Sequence, residues 1–398
     1  MKRIEIKENN LNMVYEITDE NEIKLLHFSN LPFDENDINS CEGTASFRPV
    51  EVLLSGLNRP GERHGTKYTY TAPGYRLKYK DMKDYRNETG RKLEILMEDK
   101  PTGLEVCSNI QFYDGISVIR SWTELKNNGE EDLGVEYVSS FALLGIDKEG
   151  LLSTDEKLEV LIARNAWQKE LIWNRFSMDQ LGMSISQPDK VRRSSQTISV
   201  GNTGNWSTKN YLPMGCLKNK ETDSILFWQI EQNGSWYWEI SDQDGHMYLQ
   251  LSGPTEHQSH WWKNLKPGDT FASVPVSVGS ACGDVEEAAG ELTKYRRAIR
   301  RKNEDNEKLP VIFNDYMNCL WGDPTTEKEL PLIDKAKEAG CEYFCVDCGW
   351  YSAGFWWDGV GEWLPSKERF PGGLKEVMDY IRSKGMVPGV WLEIEVLG

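Results

Sequence analysis

Four carboxylates stand where apolar runs end: Asp315, Asp347, Glu393 and Glu395. Two tryptophans, Trp350 and Trp391, accompany them. Asp347 closes the run Tyr343-Phe344-Cys345-Val346 and is followed by Cys348, Gly349, Trp350 and Tyr351. A carboxylate accepts hydrogen bonds from neighbouring hydroxyls. Flat indole rings stack on the apolar faces of sugars, and paired carboxyl groups cleave glycosidic bonds. The chemistry suggested is carbohydrate binding and glycosidic cleavage. A plainer reading stays open, with Asp347 capping a turn, Trp350 filling a core and the two Glu purely structural.

Other constellations carry less. Cys341, Cys345 and Cys348 have C-x3-C-x2-C spacing, but a strand sends Cys345 and Cys348 to opposite faces, so their thiolates would not converge on a cluster. The five histidines, His27, His64, His246, His257 and His260, all precede residue 261. None follows to serve as a base beside the strand-end acids. Asp242-Gln243-Asp244-Gly245 is too short for a calcium loop and reads as a hairpin turn. There is no Gly-rich phosphate loop. No metal and no cofactor is expected.

These residues need strands to hold them. Residues 1 to about 280 read as all-β. Ile116–Thr123 leads into Asn128-Gly129, and Val135–Leu143 is expected to return from it as a hairpin. A second meander is expected from Ile225–Ile230 through Asn233-Gly234, Trp236–Ile240 and Asp244-Gly245 to Met247–Leu251. Asn-Gly and Asp-Gly supply the positive φ of tight hairpins. So many short strands imply a large two-sheet sandwich. Val285, Ala288, Leu292, Tyr295 and Ile299 then fall at helical spacing, and a charged segment, Arg300–Lys308, reads as a linker. From Leu309 the order becomes β-α-β-α-β, with a capping box expected from Thr326 and Glu329. Helical crossovers between strands mean a parallel sheet or barrel, whose ligands meet the strands' carboxyl ends. The expected division is a β-supersandwich over 1–283, a helix and charged linker over 284–308, and the first part of a barrel over 309–398.

Length and composition agree. The chain has 398 residues and 15 Trp, enough for more than one core. A formal net charge of −17 argues against nucleic acid and anionic membranes as partners. No apolar run is long enough to span a bilayer, and the start lacks the hydrophobic stretch of a signal peptide. The eight Cys are scattered, which points to reduced thiols in a cytoplasm.

Three motifs in order resemble glycoside hydrolase family 36, the large bacterial α-galactosidases. Val346-Asp347-Cys348-Gly349-Trp350-Tyr351 is similar to the family's Asp-Asp-Gly-Trp strand. Gly361-Glu362-Trp363 with Arg369-Phe370-Pro371-Gly372-Gly373-Leu374 is similar to its Gly-Asp-Trp and Phe-Pro-x-Gly-Leu run. Gly389-Val390-Trp391-Leu392-Glu393-Ile394-Glu395 is similar to its Gly-Leu-Trp-Phe-Glu-Pro-Glu strand. The resemblance implies a multidomain β plus α/β protein, an N-terminal β-supersandwich followed by about three βα units of a (β/α)8 barrel. It implies a retaining enzyme that cleaves terminal α-linked galactose, with Asp347 on the sugar's 4- and 6-hydroxyls and Trp391 against its ring. Asp347, Cys348, Trp350, Trp391 and Glu393 are the expected substrate-binding residues. The nucleophile and acid/base aspartates are expected beyond Gly398, so no catalytic residue is assigned here and the chain alone is expected to be inactive. Cys348 stands where the family has a second Asp, which keeps an α-N-acetylgalactosaminidase as an alternative. A non-catalytic sugar-binding or truncated protein is the other. A homotetramer is a further implication.

Overall fold

A computed structural model describes residues 1–38, 47–57, 67–183, 196–394 and 396–397. The chain forms two compact units, Met1–Ile299 and Arg300–Gly398.

In the first unit, a ten-stranded antiparallel sheet runs from Lys78–Arg86 through Arg91–Asp99, Leu104–Tyr113 and Ile116–Asn127. It continues through Val276–Cys282, Ser224–Ile230, Tyr211–Asn219 and Leu158–Arg164 to Ile172–Ser177, and the tenth strand, Thr270–Ala272, pairs with Ile116–Asn127 off this path. A six-stranded sheet carries Ile198–Asn202, Trp236–Gln243, His246–Ser252 and Leu133–Leu144. An N-terminal three-stranded meander, Lys2–Glu8, Leu11–Ile17 and Ile23–Ser29, joins them. All three sheets share one apolar core, in which Trp228 of the large sheet meets Trp238 of the six-stranded sheet edge to face at 5.2 Å. Alternation along Arg91–Asp99, whose odd positions from Leu93 on are buried, shows why these segments are strands.

Two expected hairpins are not hairpins. Ile116–Asn127 and Leu133–Leu144 lie in different sheets, as do Ser224–Ile230 and Trp236–Gln243. Asn128-Gly129 and Asn233-Gly234 therefore carry the chain across the sandwich. Their φ angles are not positive, so the tight primed turn never forms. Asp244-Gly245 does form it, with φ of 52° and 83° and with Gln243 paired to His246. The helix Val285–Ile299 packs on the large sheet, placing Ala288, Leu292 and Tyr295 against Tyr113, Val118 and Phe227. Its apolar spacing is thus spent within the first unit.

The second unit holds three parallel strands, β1 (Ile312–Asn314), β2 (Tyr343–Val346) and β3 (Val387–Val390), in that spatial order. Helices α1 (Thr326–Glu338) and α2 (Leu374–Ser383) make the crossovers. Phe344 and Val346 of β2 are fully buried with Ile333 of α1 and Val377 and Ile381 of α2. The α1 cap differs from expectation. Thr325 is the N-cap and accepts from the Lys328 N–H, while Glu329 turns inward and is fully buried.

Candidate functional site

The three strands end side by side, and their carboxyl ends gather the polar residues. β2 is central, so the residue after Val346 is flanked by the ends of both neighbours. That residue is Asp347, half-buried. Its Oδ2 accepts from Asn314 Nδ2 at 2.6 Å, across from β1. Its Oδ1 accepts the Cys348 main-chain N–H at 2.7 Å. Its own N–H donates to Asp315 Oδ1 at 2.7 Å. Asp347 thus caps the turn, as the plainer reading held, and still presents a part-exposed carboxylate.

The turn after Asp347 depends on two glycines in close approach. Gly349 has φ of +94°, and a Cβ there would lie 2.2 Å from the Gly322 carbonyl oxygen. A Cβ on Gly322 would strike the Trp356 ring at 2.5 Å. No larger residue fits either position without moving main chain or a packed indole.

Cys348 points inward and is 2% exposed. Burial, then the neighbouring Asp347, push its thiol well above the usual range, so it is neutral at physiological pH. Trp350 is buried too. It meets Tyr351 edge to face at 5.3 Å and Trp363 at 6.1 Å, and its indole N–H donates to the Trp391 main-chain oxygen at 3.0 Å. Trp391 is half-buried just beyond β3, with Trp356 at 5.9 Å and Trp363 at 6.0 Å, both edge-on. Glu393 follows, half-buried, near enough to Tyr351 to act on its hydroxyl. Glu395 lies outside the described residues.

The structure therefore brings Asp347, Cys348, Trp350 and Trp391 to one strand-end cluster, with Glu393 at its margin. Reasoning from the sequence missed Asn314, Tyr316 and Trp356. Tyr316 meets Trp356 at 6.1 Å and Trp321 at 5.5 Å, extending the aromatic wall. The cue was present in Phe355-Trp356-Trp357, an aromatic run too polar in its flanks to be a strand. Arg369, in the run after Trp363, ties the loops of this end together. Its guanidinium donates to the carbonyls of Ser352 and, at 2.7 Å, Gly354, and to the Asp323 carboxylate.

Next to Asp347 lies a buried acidic pair. Asp315 is 1% and Glu329 0% exposed, and their carboxyl groups are within hydrogen-bond reach. Burial, then the contact with Asp315, push Glu329 up to about 10. Asp315 is raised as well, by burial foremost.

The family described as Melibiase matches residues 276–398. The chain is 24% identical over 322 residues to alpha-galactosidase Mel36A of Lactobacillus acidophilus, covering 78% of this chain and 40% of that protein. It is 28% identical over 162 residues to alpha-galactosidase 1 of Pediococcus pentosaceus, covering 39% of this chain and 21% of that protein. The solved family 36 α-galactosidase AgaA of Geobacillus stearothermophilus aligns with 98% of this chain and 56% of its own, at a TM-score of 0.76 and 16% identity. An AgaA variant solved in complex with raffinose aligns at a TM-score of 0.77. This chain spans about half or less of the length of these relatives. Its fold is that of the N-terminal part of the family 36 α-galactosidases, a sandwich followed by the opening strands of a parallel barrel.

Proposed function

We propose that this chain is the N-terminal portion of a retaining glycosidase that removes terminal α-linked galactose from oligosaccharides. The observation that carries the reading is Asp347. It is a part-exposed carboxylate at the carboxyl end of the central parallel strand, and the end of the neighbouring strand carries Trp391, packed on Trp356. Barrel ligands sit at that end. In this reading Asp347 accepts hydrogen bonds from two adjacent galactose hydroxyls, Trp391 lies against the ring, and Glu393 borders the sugar. Trp350 supports Trp391 from below. The catalytic aspartates belong to later strands of the barrel, and this chain supplies recognition.

Cys348 leaves Asp347 with the larger share of the recognition, because a buried neutral thiol is a weaker hydrogen-bond partner than a carboxylate. The thiols of the described cysteines are all free, in keeping with a reducing cytoplasm. A tetramer is proposed from the family resemblance alone.

Calorimetric titration of the chain with galactose, N-acetylgalactosamine and glucose tests the reading. One of the first two should bind in preference to glucose, and Asp347→Ala should weaken that binding at least about tenfold, the loss of a charge-assisted hydrogen bond. Equal binding of glucose, or an unchanged affinity in Asp347→Ala, would overturn it.

A further inference from the structure

Asp315 and Glu329 are two buried acids with few donors around them. Asp315 Oδ1 is taken by the Asp347 N–H. Asp315 Oδ2 and both Glu329 oxygens meet no nitrogen or hydroxyl donor among the described residues. Two buried carboxylates in contact would repel strongly in a low-dielectric interior. The arrangement closes only if the pair holds one proton, which Glu329 donates to Asp315 Oδ2. The titratable groups facing the pair are Asp347, Cys345 and Cys348 from β2 and its turn, and Cys319 from the turn after β1. All become negative on ionising, so each helps the pair keep its proton.

We propose that Glu329 is a positioning residue, a protonated acid that fixes Asp315 so that Asp315 can hold the main chain at Asp347. The relay runs from the first turn of α1, through the end of β1, to the end of β2. Ionised Asp315 is the stronger acceptor for the Asp347 N–H, and the proton on Glu329 allows that charge to stay buried. The inference rests on the reading above in one respect: the strand end so held is the sugar-binding one. Loss of the proton would put two charges in the buried pair and release the grip on Asp347.

The test compares the chain with Glu329→Gln, whose amide can still donate to Asp315, and with Glu329→Leu, which cannot. An infrared difference spectrum, wild type minus Glu329→Gln at neutral pH, should show one protonated-carboxyl band. Hydrogen exchange at the Asp347 amide should find protection kept in Glu329→Gln and reduced at least about tenfold in Glu329→Leu. The pH profile separates positioning from mere packing. Wild-type protection at Asp347 should fall as pH rises through about 10, while Glu329→Gln stays flat. Absence of the band, or parallel pH profiles in wild type and Glu329→Gln, would overturn the proposal even if Glu329→Leu fails to fold. Neither readout needs a sugar, so a chain that fails to bind galactose counts against the functional reading alone.

Discussion

Asn314 Nδ2 sits 2.6 Å from Asp347 Oδ2, joining the ends of β1 and β2 through their side chains. The same asparagine accepts the Tyr316 N–H on its Oδ1 at 2.9 Å, which fixes the orientation of its amide. In Asp347→Asn, therefore, one of two amide nitrogens would face the other, and the contact would be lost along with the charge. The expected result is a drop in galactose affinity of about tenfold or more, from loss of a charge-assisted bond worth ~1.5–3 kcal/mol. The melting temperature should fall only slightly, because the Cys348 N–H remains capped by the side-chain oxygen. Parallel loss of binding and stability would mark Asp347 as a turn cap and nothing more.

Cys348→Asp would place a third carboxyl group beside Asp347 and Asp315, in a buried position. Burial and like charge both raise the pKa of the new acid in the folded chain. The sign follows from linkage. The variant should match wild type below the ordinary carboxylate range and lose stability as pH rises above it. The loss is about 1.4 kcal/mol for every tenfold by which folding weakens the new acid. Melting curves across the acid-to-neutral range check this. A stability gap that does not change with pH would be contrary to it.

Arg369 is buried, and its guanidinium reaches the main-chain carbonyls of Ser352, Gly354 and Pro324 and the carboxylate of Asp323. Asp323 is largely exposed, so that ion pair contributes little. The carbonyl of buried Ser352 has more to lose. Arg369→Met should destabilise the second unit by roughly 1–3 kcal/mol, since it strands the buried acceptor of Ser352. Urea unfolding followed by tryptophan fluorescence would register this, because the loops concerned carry Trp356 and Trp357. A change under about 0.5 kcal/mol, typical of a surface substitution, would show the tie to be dispensable.

In the first unit, burial pushes Glu51 up from an ordinary 4.5 to about 7, against hydrogen bonds from Thr71 and Tyr70 that favour its charge. A raised folded pKa gives stability that is complete below the unfolded value and is lost as pH climbs to the folded one. The loss attached to Glu51 should therefore develop between about pH 4.5 and 7 and amount to about 3 kcal/mol. Glu51→Gln should remove that portion of the slope. Glu239, also fully buried and raised by burial, adds a slope of the same sign. Melting temperatures of the two proteins across this window provide the comparison, and identical slopes would contradict the assignment.

Much of the second unit was legible because its periods are plain. The short apolar run Tyr343–Val346, which buries alternate residues, suits a strand, and the face Val377–Ile381 suits a helix. Asp347, Trp391 and their neighbours could be picked out because a carboxylate or an indole at a strand end is conspicuous. The sandwich was harder. Asn128-Gly129 and Asn233-Gly234 permit a hairpin but do not require one, and whether two strands pair or part is decided by the core they must cover. Glu329 was misread for a related reason. Its spacing from Thr326 fits a helix cap, and only the fold reveals that Asp315 lies within its reach. Trp356 escaped notice because a ring recruited from a loop has no periodicity to announce it.

The bond from Trp350 to Trp391 grips the main chain and does not involve the second indole. A ring at position 391 can therefore be exchanged for another without loosening the backbone that carries it. Anchor and tool are separate parts here. Under the proposed reading, redesign of sugar preference would begin at 391, cycling Phe, Tyr or His through a socket whose frame stays put, whereas position 350 is the fixture that any such series must leave untouched.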